Sequence, residues 1–256
     1  MVVADLHVHT TNSDGELTLS TLPEAAQRAG VSAVAVTDHD RIHPELPTPV
    51  ATLDGVTVIH GIELRVETEA ERVDLLGYGV TPTAELEALV SDLQQNRIER
   101  GREIIENVEA RLGVELPVEP REGLGRPHIA RAIDEATDYS YTEAFDELIG
   151  DDGPCFVARD IPTFEAGVSV LHDACGLVSL AHPFRYEDPE AALDLCADLD
   201  AVEGHYAYGR EVDSRPIERA IEEYDLLVTG GSDAHDEELG KAGLDREEYR
   251  RFRAAL

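Results

Sequence analysis

Five times along this chain a short apolar run stops at residues able to bind a metal ion. Val2-Val3-Ala4 runs into Asp5-Leu6-His7-Val8-His9-Thr10, and Val31 to Val36 into Thr37-Asp38-His39-Asp40. Val56 to Ile59 runs into His60-Gly61-Ile62-Glu63, Leu177 to Leu180 into Ala181-His182-Pro183, and Leu226 to Val228 into Gly230-Gly231-Ser232-Asp233-Ala234-His235. Such runs, bounded by turn residues, read as buried strands. In an α/β barrel the parallel strands present their C-terminal ends at one mouth, where catalytic groups collect. Five ends converging there would supply enough nitrogen and oxygen donors for two or three divalent ions. Within the first strand, His7 and His9 should project from one face while Leu6 and Val8 pack on the other.

The segments between these runs fit the same class. A capping box at Thr21-Leu22-Pro23-Glu24 opens a helix through Arg28 that Gly30 stops, and His43 lies in a proline-rich surface loop with Pro44, Pro47 and Pro49. Arg72 to Leu76 reads as a strand containing Asp74. From Thr83 the pattern changes, with apolar residues from Leu86 to Leu112 at helical spacing, followed by helical stretches at Pro127 to Ala136 and Thr142 to Ile149. Strand–helix alternation resumes with helices at Thr163 to Ala174, Pro189 to Ala197 and Ser214 to Tyr224, strands Leu177 to Ala181 and Ala201 to Glu203, and a last helix from Asp245. The expectation is an α/β barrel over residues 1–80 and 157–256, interrupted by a helical insertion over 81–156.

Charge narrows the choice of partners. The 256 residues carry 21 basic and 54 acidic side chains, a net charge of −33, and Lys241 is the single lysine. That field repels polyanions at low ionic strength and argues against tight sequence-specific DNA binding. It resembles the solubility adaptation of proteins from very salty cytoplasm, where the Debye length falls to about 3 Å at 1 M salt. No apolar run is long enough to span a bilayer, and the first residues read as a strand rather than a signal core, so a soluble cytoplasmic protein is expected. Cys155, Cys175 and Cys196 have no paired spacing and read as buried free thiols.

Imidazoles clustered with carboxylates suit Mn²⁺, Fe²⁺ or Zn²⁺, and two such ions can activate a water for in-line attack on phosphorus. No side-chain nucleophile motif competes with that reading. Arg185, just past His182-Pro183, and Arg126, beside Pro127-His128, could grip phosphate. Each could equally be a surface arginine. His60 reads as packed within its strand, His172 as helical, and His205 as a surface or supporting residue without an evident partner.

Taken together, the five strand-end motifs resemble the PHP family, named for polymerases and histidinol phosphatases. The resemblance runs in order along nearly the whole chain and implies a distorted (β/α)7 barrel with up to three metals. Gly125-Arg126-Pro127-His128-Ile129-Ala130-Arg131 and Ala181-His182-Pro183-Phe184-Arg185-Tyr186 resemble the branch that dephosphorylates nucleoside 3′,5′-bisphosphates and trims short RNA from its 5′ end. On that resemblance His7, His9, Glu63 and Asp233 would hold one ion, Glu63 and His182 a second, and Asp14, His39 and His235 a third. Arg126, His128 and Arg185 would face substrate phosphates. Asp74 stands where the branch usually has histidine, which would shift the second site toward oxygen-preferring ions. The implied protein is a metal-dependent phosphoesterase using two to three divalent ions, Mn²⁺ foremost and Fe²⁺, Zn²⁺ or Mg²⁺ as alternatives. Its substrate would be a nucleotide or short oligonucleotide. The rival functions are a histidinol-phosphate phosphatase and a non-catalytic metal-binding module that accompanies a DNA polymerase.

Overall fold

The computed structural model describes residues 1–256, which divide into two compact units: 1–88 with 161–256, and 89–160. The larger unit is built on eight strands. They are β1 (Ala4–Val8), β2 (Ala33–Val36), β3 (Val50–Leu53), β4 (Val56–Glu67), β5 (Arg72–Tyr78), β6 (Leu177–Leu180), β7 (Ala201–Tyr206) and β8 (Leu227–Gly231). Seven of them pair in the order β1-β2-β4-β5-β6-β7-β8, and β3 flanks β4. The two ends of the sheet meet, because His9 N–H donates to Ala234 O at 3.0 Å and Ala234 N–H to His7 O at 3.3 Å. Gly231 permits that approach: a Cβ there would lie 2.3 Å from the His7 nitrogen. The sheet is a nearly closed, distorted seven-stranded barrel, as the resemblance implied.

One strand departs from the parallel pattern expected. β5 runs antiparallel to both β4 and β6, since only Thr68–Glu71 connects β4 to β5. Four residues suffice for a hairpin but not for a parallel crossover. Asp74 therefore arrives at the mouth near the start of its strand, whereas Glu63 lies within β4 and His7, His39, His182 and Asp233 lie at or just past the ends of theirs. The proline-rich loop also ends in structure that the sequence did not announce: Val50–Leu53 pairs antiparallel with Val56–Ile59. His43, assigned to the surface, is buried, and its N–H donates to His60 Nε2 at 3.1 Å.

Helices α1 (Leu22–Ala29), α2 (Ala84–Leu112), α3 (Arg126–Ala136), α4 (Tyr141–Ala144), α5 (Phe164–Ala174), α6 (Pro189–Asp194), α7 (Arg215–Tyr224) and α8 (Arg246–Ala255) follow the apolar periodicity. Inside the barrel, Leu6, Ala33, Ala35, Ile59, Leu76 and Tyr78 pack with Phe252 of α8. Outside it, Val8, Val34 and Val36 pack under Leu22, Ala25 and Ala26 of α1. Burying a large apolar side chain contributes about 1.5–3 kcal/mol. Leu6 and Val8 thus belong to different cores, against strict alternation, because the β1–β2 register shifts between Asp5 and Val8. The capping box proposed at Thr21 does not form. Thr21 stands at the N-cap with no side-chain cap, and its Oγ1 accepts from Thr18 N–H at 3.0 Å instead. In the smaller unit, Ile104, Ile105 and Val108 of α2 pack with Ile129 and Ile133 of α3 and with Leu148 in a π-turn that extends α4.

The His43–His60 contact makes stability depend on pH. Burial, followed by the neighbouring His43, pushes His60 down to about 4, so the folded chain keeps it neutral where the unfolded chain takes up a proton. Stability contributed by neutral His60 is complete above pH 6.5 and is lost as the pH falls toward 4, by roughly 3 kcal/mol at most. His60→Gln, which keeps an acceptor but cannot titrate, should flatten that part of the urea-unfolding profile. An unchanged slope would show that His60 is not its source.

Candidate metal centre

Three groups of ligand-type side chains meet at the barrel mouth: His9, Asp14, His39 and His235; His7, His9 and Glu63; and Glu63, Asp74 and His182. Within each group the donor atoms lie within 4.8 Å of one another. Glu63 is central to the cluster. Its Oε1 is 3.1 Å from His182 Nε2 and 3.3 Å from His7 Nε2, and its Oε2 is 2.6 Å from His39 Nδ1 and 3.4 Å from His9 Nε2. Asp233 Oδ1 lies 3.5 Å from His7 Nε2, 3.0 Å from His9 Nε2 and 3.5 Å from His235 Nδ1. Asp14 Oδ1 is 3.4 Å from His235 Nε2 and 3.8 Å from His39 Nε2.

The backbone that carries these groups is unusual. Asp40, His182 and Asp233 all have positive φ, at 53°, 27° and 50°. Side chains other than glycine enter that region at a cost of order 1–3 kcal/mol, typically where function fixes geometry. Buried carboxylates hold the loops in these conformations. Asp38 accepts from Thr10 N–H at 2.7 Å, Thr10 Oγ1 at 2.8 Å and Ser13 Oγ at 2.7 Å. Asp5 accepts from Ser232 N–H, Ser232 Oγ and Gly240 N–H, which ties β1 to the segment after β8.

Without a cation the cluster behaves as a buried ion network. Burial alone would lower the His7 imidazole, but Glu203, Asp233 and Glu63 outweigh it and hold its pKa well above the usual histidine range. Burial followed by His39 and His235 lowers His9. Burial would raise Glu63 and Asp233, yet the surrounding imidazoles keep both well below the usual carboxylate range. His7 Nε2, His9 Nε2, Asp14 Oδ1 and Asp233 Oδ1 are all buried without a hydrogen-bond partner. Buried polar atoms of that kind need partners. Imidazole nitrogens and carboxylate oxygens converging at this spacing fit divalent transition ions.

By its sequence Glu203 is only the end of a strand, and the structure gives it a larger part. Fully buried, it sits 3.1 Å from His7 Nδ1 through Oε1 and accepts the His182 N–H through Oε2 at 2.7 Å. That contact sets the tautomer of His7 and turns Nε2 toward the cluster. The signal was present, since Ala201-Val202-Glu203 is a sixth apolar run ending in a ligand-type residue. Glu203→Gln should weaken Mn²⁺ binding by about 10–100-fold. Calorimetric titration decides it, and an unchanged affinity would remove Glu203 from the site.

Arg185 lies beside the cluster. Its Nη1 donates to Asp233 Oδ2 at 2.9 Å and to Tyr206 Oη at 3.1 Å, and Tyr206 Oη donates to Asp233 Oδ2 at 2.8 Å. His205 has the partner that sequence could not name: Nε2 is 2.8 Å from Glu248 Oε1 on α8. In the smaller unit, Arg126 opens α3, its guanidinium over Phe145 and Phe156 and its Nη1 2.6 Å from Asp151 Oδ1. His128 Nδ1 accepts from Gly125 N–H at 3.1 Å. Arg100 in the same unit is pushed down to about 9 by burial and by Arg126, Arg159 and Arg97. Four arginines gathered together in so acidic a chain were not foreseen, although Arg97 and Arg100 share a helix face at i, i+3. Asp74, the position that departs from the branch, is held by Arg65 through both of its carboxylate oxygens.

Comparison with known proteins agrees with this chemistry. Over 245 residues the chain is 28% identical to a 5′-3′ exoribonuclease of Haemophilus influenzae, covering 90% of this chain and 89% of that protein. It is 26% identical to a 3′,5′-nucleoside bisphosphate phosphatase of Chromobacterium violaceum, covering 96% and 90%. It is 30% identical to a phosphoribosyl 1,2-cyclic phosphate 1,2-diphosphodiesterase of Eggerthella lenta, covering 91% and 94%. The crystal structure of a metal-dependent phosphoesterase from Bifidobacterium adolescentis superposes with a TM-score of 0.81 at 24% identity, over 98% of this chain and 96% of that one, which establishes the shared fold. No helix is long and apolar enough to cross a membrane. With the PHP domain matched over residues 5–253 and the histidine–carboxylate cluster at the barrel mouth, this chain belongs to the PHP domain family and is a metal-dependent phosphoric ester hydrolase.

Proposed function

We propose that this chain removes the 3′-phosphate from nucleoside 3′,5′-bisphosphates, with 5′→3′ trimming of short oligonucleotides as a second use of the same chemistry. The observation that carries the reading is Arg185, a guanidinium held beside the ligand cluster by Asp233 and Tyr206 with its side chain still 53% exposed. A cation so placed can meet a phosphate oxygen in a charge-assisted contact. His7, His9, Glu63 and Asp233 would hold one ion and Asp14, His39 and His235 another. When bound, such ions supply a Lewis acid for the phosphoryl oxygens and an activated water. Arg185 orients the scissile phosphate, and Glu203 keeps His7 and His182 in position. Arg126 and His128 are assigned to the second phosphate on the sequence motif alone, and the arginines around Arg126 make the smaller unit locally cationic in an acidic chain. The names of two relatives, one a bisphosphate phosphatase and one an exoribonuclease, support this class of substrate.

The deciding assay is phosphate release from adenosine 3′,5′-bisphosphate, histidinol phosphate and a ribose 1,2-cyclic phosphate, with Mn²⁺ at molar KCl. Turnover of the bisphosphate is expected to dominate, and turnover of only one of the other two would overturn the substrate assignment. Arg185→Ala should lower kcat/KM by roughly 10–100-fold, the equivalent of losing one charge-assisted hydrogen bond. Arg126→Ala should raise KM for the bisphosphate and leave hydrolysis of a monophosphate ester nearly unchanged. Equal effects on both substrates would contradict its assignment.

A further inference from the structure

The Glu63–Asp74–His182 corner differs from the other two ligand groups. Asp74 is 1% exposed, yet neither of its oxygens is left waiting for a partner. Arg65 Nε donates to Oδ1 at 2.7 Å and Arg65 Nη2 to Oδ2 at 2.5 Å, a forked pair. Arg65 stands directly opposite Asp74 in the antiparallel β4–β5 register, so backbone pairing imposes the contact. The neighbouring imidazole is engaged through one nitrogen, with His182 Nε2 3.1 Å from Glu63 Oε1 and 3.7 Å from Asp74 Oδ2, while its buried Nδ1 has no hydrogen-bond partner. A histidine ligand makes way for a metal by giving up a proton, but a guanidinium cannot be deprotonated in a protein. A divalent ion at this corner would share a carboxylate with a permanent cation and feel its repulsion at close range. At the other two groups His7 Nε2, His9 Nε2 and Asp14 Oδ1 face no guanidinium, and Asp233, which Arg185 meets through Oδ2 alone, keeps Oδ1 without a hydrogen-bond partner.

We infer that Arg65 takes the place of one metal ion in this chain, which therefore binds two divalent ions rather than three. One lies among His7, His9, Glu63 and Asp233, and the other among Asp14, His39 and His235. Asp74 is then the partner of Arg65 and not a metal ligand. Arg65 and Asp74 are register partners across the strand pair, so the corner carries a positive charge of its own. Unlike an ion, that charge is not removed by a chelator or exchanged for another metal. The inference rests on the phosphoesterase reading only in taking the other two groups to be metal sites.

The test is the metal content of the purified chain after saturation with Mn²⁺ and desalting, by mass spectrometry of the metal against amino-acid analysis of the protein. Two ions per chain are expected in the wild type. The double variant Arg65→Ser with Asp74→His removes the guanidinium and supplies an imidazole, and should take up a third. Three ions in the wild type, or one, would overturn the inference while leaving the metal-dependent hydrolase reading in place. A double variant that folds but stays at two would overturn the role given to Arg65. No bound ion at all would bring down the metal-site reading itself. The wild-type count decides the stoichiometry even if the variant does not fold.

Discussion

Replacing Glu63 with glutamine is expected to reduce phosphoester hydrolysis by about 10³-fold or more, since a loss of about 4 kcal/mol in charge stabilisation is a thousandfold in rate. The substitution keeps the shape and removes the charge. Four imidazoles, those of His7, His9, His39 and His182, lie within 3.4 Å of its two carboxylate oxygens. An amide there offers one neutral oxygen to a cluster that needs a shared anion. Steady-state assays at saturating Mn²⁺, with circular dichroism to verify the fold, measure the effect. Retention of activity within tenfold would mean that the Glu63 charge is not needed to hold metal.

Removal of metal should produce the largest change in stability. The buried atoms His7 Nε2, His9 Nε2, Asp14 Oδ1 and Asp233 Oδ1 lack hydrogen-bond partners within the protein, and Glu63 and Asp233 face one another through the imidazoles of His7 and His9. An ion that binds the folded chain alone stabilises it by about 4 kcal/mol at 1,000 times its Kd. For a chain of this length that is about 8–16 °C in Tm. Thermal unfolding in molar KCl, with excess Mn²⁺ or with a chelator, gives the comparison at constant screening of the −33 charge. A difference below a degree would argue that the cluster binds no ion.

Sequence alone carried a good part of the site. His7, His9, His39, Glu63, His182, Asp233 and His235 could be named because each follows an apolar run, and burial of a strand needs such a run whatever the tertiary fold. The helical character of residues 84–112 was legible for a similar reason, since its apolar residues recur at a period that only a helix satisfies. Some errors were local competitions that pattern alone could not resolve. Thr21 can cap a helix or close the turn begun at Thr18, and it does the second.

Partners far apart in the chain were decided by the tertiary structure. Glu203 reaches His7 across 196 positions, and its role exists only because β7 stands near β1 on the curled sheet. His43 is buried because His60 on β4 accepts its N–H, a contact to which the prolines around His43 give no clue. The meeting of Arg65 and Asp74 depends on the direction of β5, which the four-residue connection Thr68–Glu71 restricts to antiparallel and which the β4–β5 register then fixes residue by residue. Residue types and apolar periodicity determined which side chains could bind a metal, because those are local properties of the chain. Which of them face a cation and which face an arginine was decided by strand direction and register, because pairing across a sheet depends on how distant segments are brought together.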